Sequence, residues 1–242
     1  MKDLGNLRML LRWGIDQTVS ILGFLLARRR VEPSIMAGDG KVCVNLGCGL
    51  AIAPGWINVD ASLNAVFGGA PAWMLKLLYR ATGANRYYTC DEYCRLLRDH
   101  RFVFSDLARS LPFPEKSVDV FYSSHFFEHL FKKDAARLLG DCHKALREGG
   151  LIRIAVPDLE HAVALYQSGE NRKMLDDYFF VDDLSSYLAR HKYMYDFDLM
   201  KAALAKAGFR DIKRCGYREG KAPDIDKLDN RSDETLFVEA VR

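Results

Sequence analysis

From residue 41 onward the chain alternates short, almost continuous apolar runs with stretches of helical periodicity, and this constrains its fold more than any other feature. Such runs are what parallel strands buried on both faces look like, and the helical stretches are crossovers that return the chain in the same direction. KVCVNL (41–46) reads as the first strand, WINVD (56–60) as the second, RFVFSD (101–106) as the third and VDVFYSS (118–124) as the fourth. LIRIAV (151–156) gives a fifth, closed by Pro157, and FRDIKRC (209–215) and TLFVEAV (235–241) complete a seven-stranded α/β sheet. A polar, loop-like stretch around KAPDIDKLDNRSDE separates the last two.

Two helices are marked most plainly. Ala135, Leu138, Leu139, Cys142, Ala145 and Leu146 share one face at a period of 3.6, with Gly149 and Gly150 as the stop signal. Asp196 is placed to cap a later helix whose inward residues are Leu199, Ala203, Leu204 and Ala207 and whose end is Gly208. Two segments exceed a minimal seven-stranded sheet. Residues 1–40 form an N-terminal helical extension, and within the domain of residues 41–242 the stretch 61–100 is an insert. AWMLKLLYRA (72–81) and CDEYCRLLRDH (90–100) make that insert helical, since a structureless loop of its length inside a compact domain is improbable.

Composition narrows the function. With 242 residues the chain buries one sizeable core, and 49% apolar with 28% charged residues excludes wholesale disorder. A net charge of +3 is too small for a dedicated nucleic-acid binder. Cysteines 43, 48, 90, 94, 142 and 215 contain no C-x-x-C pair and read as reduced thiols of a cytoplasmic protein. Cys90 and Cys94 have helical spacing, but no further ligands complete a zinc set. The apolar VSILGFLLA (19–27) is too short to cross a bilayer, which needs roughly 20 residues. Leu4 to Ala27 reads as an amphipathic helix with arginines near its C-terminal end. Such a helix either packs on its own domain or makes peripheral contact with a membrane through residues 4–30.

VNLGCGL (44–50) then suggests chemistry. Glycines directly after a first strand let the backbone turn sharply and admit a ligand where a side chain would block it, and Gly47 and Gly49 stand there. Asp60 ends the second strand, where a carboxylate accepts hydrogen bonds from both hydroxyls of a ribose. Together they describe an adenosine site.

In order along the chain, VNLGCG, GWINVD, SDLARSLPFPEKSVDVFYSSHFFEHL, ALREGGLIRIAVPDLE and HKYMYDFDLMKAALAKAGFRDIKRCGYRE resemble the motifs of class I S-adenosylmethionine-dependent methyltransferases of the type 11-like group. The last also resembles members associated with bacterial surface-polysaccharide synthesis. The resemblance covers residues 41 to about 220. It implies a Rossmann-like sheet in the order 3-2-1-4-5-7-6 with a reversed last strand, S-adenosyl-L-methionine as cofactor and S-adenosylhomocysteine as product. It further implies that Asn45, Gly47 and Gly49 surround the methionine portion, that Asp60 holds the ribose, and that Asp106 with Leu107 contacts adenine. Leu46 and Ala61 join these cofactor contacts, and Ser123, Ser124 and His125 border the transferable methyl. The chain departs from the pattern in three places. Asn45 replaces the usual acidic residue, Leu50 and Ala51 stand where a third glycine is usual, and only residues 47–55 join the first two strands, which cuts the helix there to a turn or so.

HFFEH (125–129) matches the H-x-x-E-H pattern of a zinc protease family, but that site needs both histidines on one helix face. Here the pentapeptide directly follows a buried strand, so no metal is expected and Glu128 and His129 begin a helix as structural residues. Methyl transfer is a direct displacement in which alignment supplies roughly 7 to 11 kcal/mol, more than one general base. His125, His191 and Asp158 are the candidate bases for a hydroxyl acceptor. The expected function is O-methylation of a small-molecule or glycan acceptor, such as a lipid-linked saccharide. A nicotinamide-dependent oxidoreductase would want the third glycine for its pyrophosphate. A cofactor-binding subunit without catalysis stays open.

Overall fold

The strands β1 (Cys43–Leu46), β2 (Ile57–Asp60), β3 (Arg101–Phe104), β4 (Val118–Ser124), β5 (Leu146–Pro157), β6 (Arg210–Cys215) and β7 (Thr235–Val241) form one sheet in a computed structural model of the chain. Residues 2–26, 30–32, 40–179 and 190–242 are described. Their order is β3-β2-β1-β4-β5-β7-β6, as the resemblance implies. β1 to β5 run parallel, whereas β7 lies antiparallel to both β5 and β6. The chain moves outward from β1 to β3 and then returns to the other side of β1 with β4. That reversal makes a topological switch point between β1 and β4, and in sheets of this kind ligands bind beyond the carboxyl ends of the strands at such a point.

The helices are α1 (Lys2–Leu26), α2 (Leu63–Val66), α3 (Ala72–Ala81), α4 (Cys90–Asp99), α5 (Lys132–Ala145), α6 (Leu159–Gln167), α7 (Asn171–Met174), α8 (Phe197–Lys206) and α9 (Ile225–Leu228). Side chains alternate across a strand, so Val44 and Leu46 of β1 face one way and Cys43 and Asn45 the other. On the first face Val44, Leu46, Ile57 and Val59 pack against Leu138, Leu139 and Cys142 of α5 and Met200 and Leu204 of α8. Each such leucine contributes about 1.5–3 kcal/mol by leaving water, and Leu138→Ala would cost about 2–5 kcal/mol through the cavity it leaves.

The opposite face is covered differently. Residues 47–56 contain no helix, so even the single turn expected there is absent. In its place Ala222 and Leu228, from the loop before β7, pack on Cys43, Trp56, Val120 and Tyr122. A long polar-looking loop thus substitutes for a crossover helix. It is anchored by Arg153, fully buried on β5, which donates to Asp229 Oδ2 at 2.5 Å, to Glu239 Oε1 at 3.1 Å and to the Gly216 and Glu219 carbonyls.

Several local expectations need correction. α5 ends at Ala145 and the chain enters β5 at once, so Gly149 and Gly150 lie inside a strand instead of ending the helix. In α8, Asp196 caps as expected, accepting from the Leu199 N–H at 2.7 Å, but Leu199 is exposed and Met200 takes the buried place. Glu128 and His129 lie in a 3-10 turn, Phe127–His129, and α5 starts only at Lys132. α1 is described over Lys2–Leu26, and the expected end of that helix, Ala27 with Arg28 and Arg29, lies outside the described residues. Among the described residues no helix is long and apolar enough to cross a membrane.

The insert is helical. Thr89 and Glu92 start α4 with a capping box, in which the Thr89 hydroxyl accepts from the Glu92 N–H and the Glu92 carboxylate accepts from the Thr89 N–H. Leu75, Tyr93 and Leu97 form its own small core. α1 lies across the carboxyl ends of β2 and β3, packing Ile15, Val19 and Leu22 against Ala61, Leu63, Ala65 and Phe104.

Candidate active site

The loop after β1 is bent by two residues in the left-handed region, Gly47 (φ 64) and Gly49 (φ 51). The Gly47 and Cys48 N–H groups both donate to the Val59 carbonyl, at 2.8 and 3.2 Å, which draws the loop across the end of β2. The next N–H, that of Gly49, donates to Asp60 Oδ2 at 2.9 Å. Asn45 is buried and donates to the Ala51 carbonyl at 2.8 Å, so it fastens the far end of the same loop. Gly47 has a packing reason as well as a conformational one. A Cβ there would lie 2.2 Å from the Phe126 ring.

Burial holds the Asp60 carboxyl above the ordinary aspartate value, opposed by the Ser62 hydroxyl and the Gly49 N–H. Although Ser62 lies close enough to be felt by Asp60, its buried hydroxyl makes no hydrogen bond of good geometry. Asp106, beyond β3, accepts from the Ala108 N–H and from Arg109 Nε at 2.9 Å. Leu107 beside it is buried, and its carbonyl accepts from Arg137. α1 reaches this end too: a Cβ on Gly23 would lie 2.7 Å from Asp106 Cβ.

At the end of β4, Ser123 is fully buried and donates to the Leu46 carbonyl at 3.1 Å, tying the two central strands, while Ser124 is half-buried. His125 follows with φ 50, an uncommon conformation for a residue with a side chain. Its Nε2 is 3.1 Å from Thr235 Oγ1 and its Nδ1 is 3.6 Å from Glu128 Oε1. The Glu128 carbonyl accepts from the N–H groups of Lys192 and Tyr193, at 2.7 and 3.2 Å, which brings His191 to the turn. The rings of His129 and His191 then stand 5.0 Å apart. Burial is the main cause of every shift in this cluster. It pushes His125 down to about 3 with help from Arg231, His129 down to about 4, and His191 below its ordinary value. It pushes the Glu128 carboxyl up to about 8. The third candidate base, Asp158, caps α6 by accepting from the Glu160 N–H at 3.0 Å and pairs with Arg214 at 2.6 Å.

Residues 65–154 match the family model described as a methyltransferase domain. That stretch runs from α2 through β3, β4 and α5 into β5. The chain is also similar in fold to a SAM-dependent methyltransferase from Archaeoglobus fulgidus, at 17% identity over 93% of this chain and 94% of that one with a TM-score of 0.48. Another similar structure is an S-adenosylmethionine-dependent methyltransferase from Mesorhizobium loti, at 19% identity over 86% and 93% with a TM-score of 0.43. No protein of curated function matches the chain in sequence.

The match takes in most of the helical insert, which the motif resemblance leaves out, and begins after the glycine loop and Asp60. The residues at that end fit an adenosyl cofactor on their own chemistry. A carboxylate, an unpartnered buried hydroxyl and a loop bent on glycines suit a vicinal diol and a close-lying adenosyl group. Four features of this end of the sheet escape a reading of the sequence. Ser62 carries no motif, Phe126 and Gly23 act through packing across long separations, and Arg231 sits in a polar loop. The convergence of Glu128, His129 and His191 was half-visible in the H-x-x-E-H spacing, but the third member is 62 positions beyond His129 and comes from another segment.

Proposed function

We propose that the protein transfers a methyl group to a hydroxyl of a small-molecule or glycan acceptor, such as a lipid-linked saccharide, with Asp60 and Ser62 holding the ribose of the cofactor. S-adenosyl-L-methionine supplies an electrophilic methyl carbon when bound. Gly47 and Gly49 with Asn45 and Leu46 shape the methionine side, Ala61, Asp106 and Leu107 the adenosine side, and Ser123 and Ser124 the floor beneath the methyl. The hydroxyl reading is carried by one observation: His125 and His129 both stand against Glu128 at the end of β4, with the His191 ring 5.0 Å from that of His129, in surroundings whose burial favours uncharged imidazoles. As an oxygen acquires a methyl group its proton becomes strongly acidic, so a neutral ring of low basicity suffices to receive it. In this reading His125 and His191 face the acceptor, and Asp158 positions β5 and α6 through its cap and its Arg214 pair. Alignment contributes more than the base, as effective molarities outweigh the 10²–10⁴-fold typical of general-base catalysis.

Exposed apolar side chains support a peripheral membrane contact that would bring a lipid-linked acceptor to the site. Trp13, Phe24 and Leu25 of α1 and Trp73 and Leu77 of α3 stand largely in solvent. Flotation with anionic vesicles tests this. Trp13→Ser with Phe24→Ser should lower the bound fraction, and an unbound wild-type protein would remove the membrane from the reading.

The central test is transfer of radiolabelled methyl from S-adenosylmethionine to extracted glycolipids and small polyols. Product bearing a methyl ether supports the reading. N-methylated product only, or cofactor binding without turnover of any acceptor pool, overturns it.

A further inference from the structure

Among the described residues Glu128 stands out as a buried carboxylate without a hydrogen-bond partner. It is fully buried at the end of β4, and neither carboxylate oxygen has a hydrogen-bond partner. Leaving a buried acceptor unsatisfied costs about 1–3 kcal/mol, and more for a charged group. The site therefore tolerates a penalty that something else must offset.

Its neighbours show what that is. His129 places Nδ1 at 3.3 Å from the Arg190 carbonyl, and His191 places Nδ1 at 2.8 Å from the Tyr178 carbonyl. A carbonyl oxygen only accepts, so each Nδ1 carries the proton and each Nε2 keeps a lone pair. His129 Nε2 stands 3.8 Å from Glu128 Oε1, and one ligand atom from each of Glu128, His129 and His191 lies within 4.8 Å of the others. Three side chains that can each offer a ligand atom thus converge, with His125 Nδ1 also 3.6 Å from Glu128 Oε1. A hydrogen bond from the Nδ1 of each ligating histidine to a carbonyl is also how metal-binding imidazoles are held in orientation.

We propose that Glu128, His129 and His191 form a binding site for one divalent first-row transition-metal ion at the carboxyl end of β4. Two imidazoles with one carboxylate suit Zn²⁺ or Mn²⁺ and not the all-oxygen preference of Ca²⁺ or Mg²⁺. Tetrahedral ligands about 2.1 Å from an ion lie about 3.4 Å from one another, so closing on it requires side-chain shifts of about an ångström. Three protein ligands leave a position open. The guanidinium of Arg231 and the ammonium of Lys192 also bear on the site, so the ion competes with nearby positive charge for the carboxylate. The open position would take the oxygen of the acceptor, leaving His125 and not the ligating His191 to receive its proton; that role rests on the hydroxyl reading above, whereas binding of the ion does not.

Calorimetry on the full chain, stripped with a chelator and titrated separately with ZnCl₂ and MnCl₂, tests the site, with S-adenosylhomocysteine titrated in parallel. One of the two metals should bind at one ion per chain. His191→Ala and Glu128→Gln should each weaken it by more than the roughly 10–100-fold typical of lost outer partners, with unaltered S-adenosylhomocysteine affinity reporting an intact fold. Absence of stoichiometric binding by the wild-type chain, or equal binding by both variants, overturns the site. Metal binding without S-adenosylhomocysteine binding would instead overturn the cofactor reading and leave the metal site standing.

Discussion

Trp56 donates its indole N–H to Asp224 Oδ2 at 3.0 Å, joining the crossover after β1 to a loop 168 positions further along the chain. The bond is the main reason the Asp224 carboxyl is held below its ordinary value. A nine-residue crossover cannot cover the sheet face beneath it, and this contact fastens the substitute cover in place. Trp56→Phe keeps most of the ring and loses the donor. The expected cost approaches the lower end of the 1.5–3 kcal/mol of a hydrogen bond to a charged group, since Asp224 stays partly exposed. Urea denaturation should show a lower midpoint with unaltered S-adenosylhomocysteine affinity, and an unmoved midpoint would refute the anchoring role.

The same loop depends on Arg153, whose guanidinium meets Asp229 and Glu239 out of contact with water. Removing one member of such a set leaves the others charged and uncompensated. Arg153→Met should therefore destabilise by about 3–5 kcal/mol, and adding Asp229→Asn should recover part of the loss. Guanidinium unfolding of the two variants decides it; additive losses would mean the groups act independently.

The sheet was legible because buried parallel strands are written as local apolar runs. All seven strands fall where those runs predict, VDVFYSS to the residue. The errors came where a local signal lost to a tertiary one. Gly149 looks like a helix stop, yet Leu146 pairs with Val118 and pulls the chain into β5 before the glycine is reached. The cover formed by Ala222 and Leu228 was unreadable because its apolar residues are sparse and its anchors, Arg153 and Trp56, are distant in sequence. At the site, Gly47, Gly49 and Asp60 announce themselves through fixed spacing after strands. Ser62 and Gly23 do not, since each acquires its place from a contact made by another segment, and His191, though a candidate base in the sequence, could not be read as a neighbour of Glu128 and His129.

Gly23 also carries a test. α1 approaches β3 so closely that any side chain at this position meets Asp106. Gly23→Leu should push the helix away from the adenosine side, at the 1–3 kcal/mol typical of overpacking. If α1 forms a wall of that site, S-adenosylhomocysteine should bind about tenfold more weakly, which is 1.4 kcal/mol. Gly14→Leu, where a Cβ would meet nothing, is the control on the same helix. Equal affinity in both variants would separate α1 from the cofactor site.

If Asp60 holds the ribose as proposed, its surroundings fix the sign of the pH dependence of cofactor binding. Burial raises its carboxyl above the ordinary aspartate value, so the charge is lost at a higher pH than for an exposed aspartate. A ribose needs the carboxylate as acceptor for both hydroxyls, and a protonated carboxyl keeps less of that capacity. Affinity should hold near neutrality and fall on acidification, beginning above the range in which ordinary aspartates titrate. The probe is 5′-methylthioadenosine, which retains the ribose but lacks the amino-acid groups that would titrate with the protein. Calorimetry from about pH 8 to pH 5 should show the decline in the wild-type chain. In Asp60→Asn the same titration should be flat and weaker throughout. A parallel decline in both proteins would place the titrating group elsewhere and remove Asp60 from the ribose.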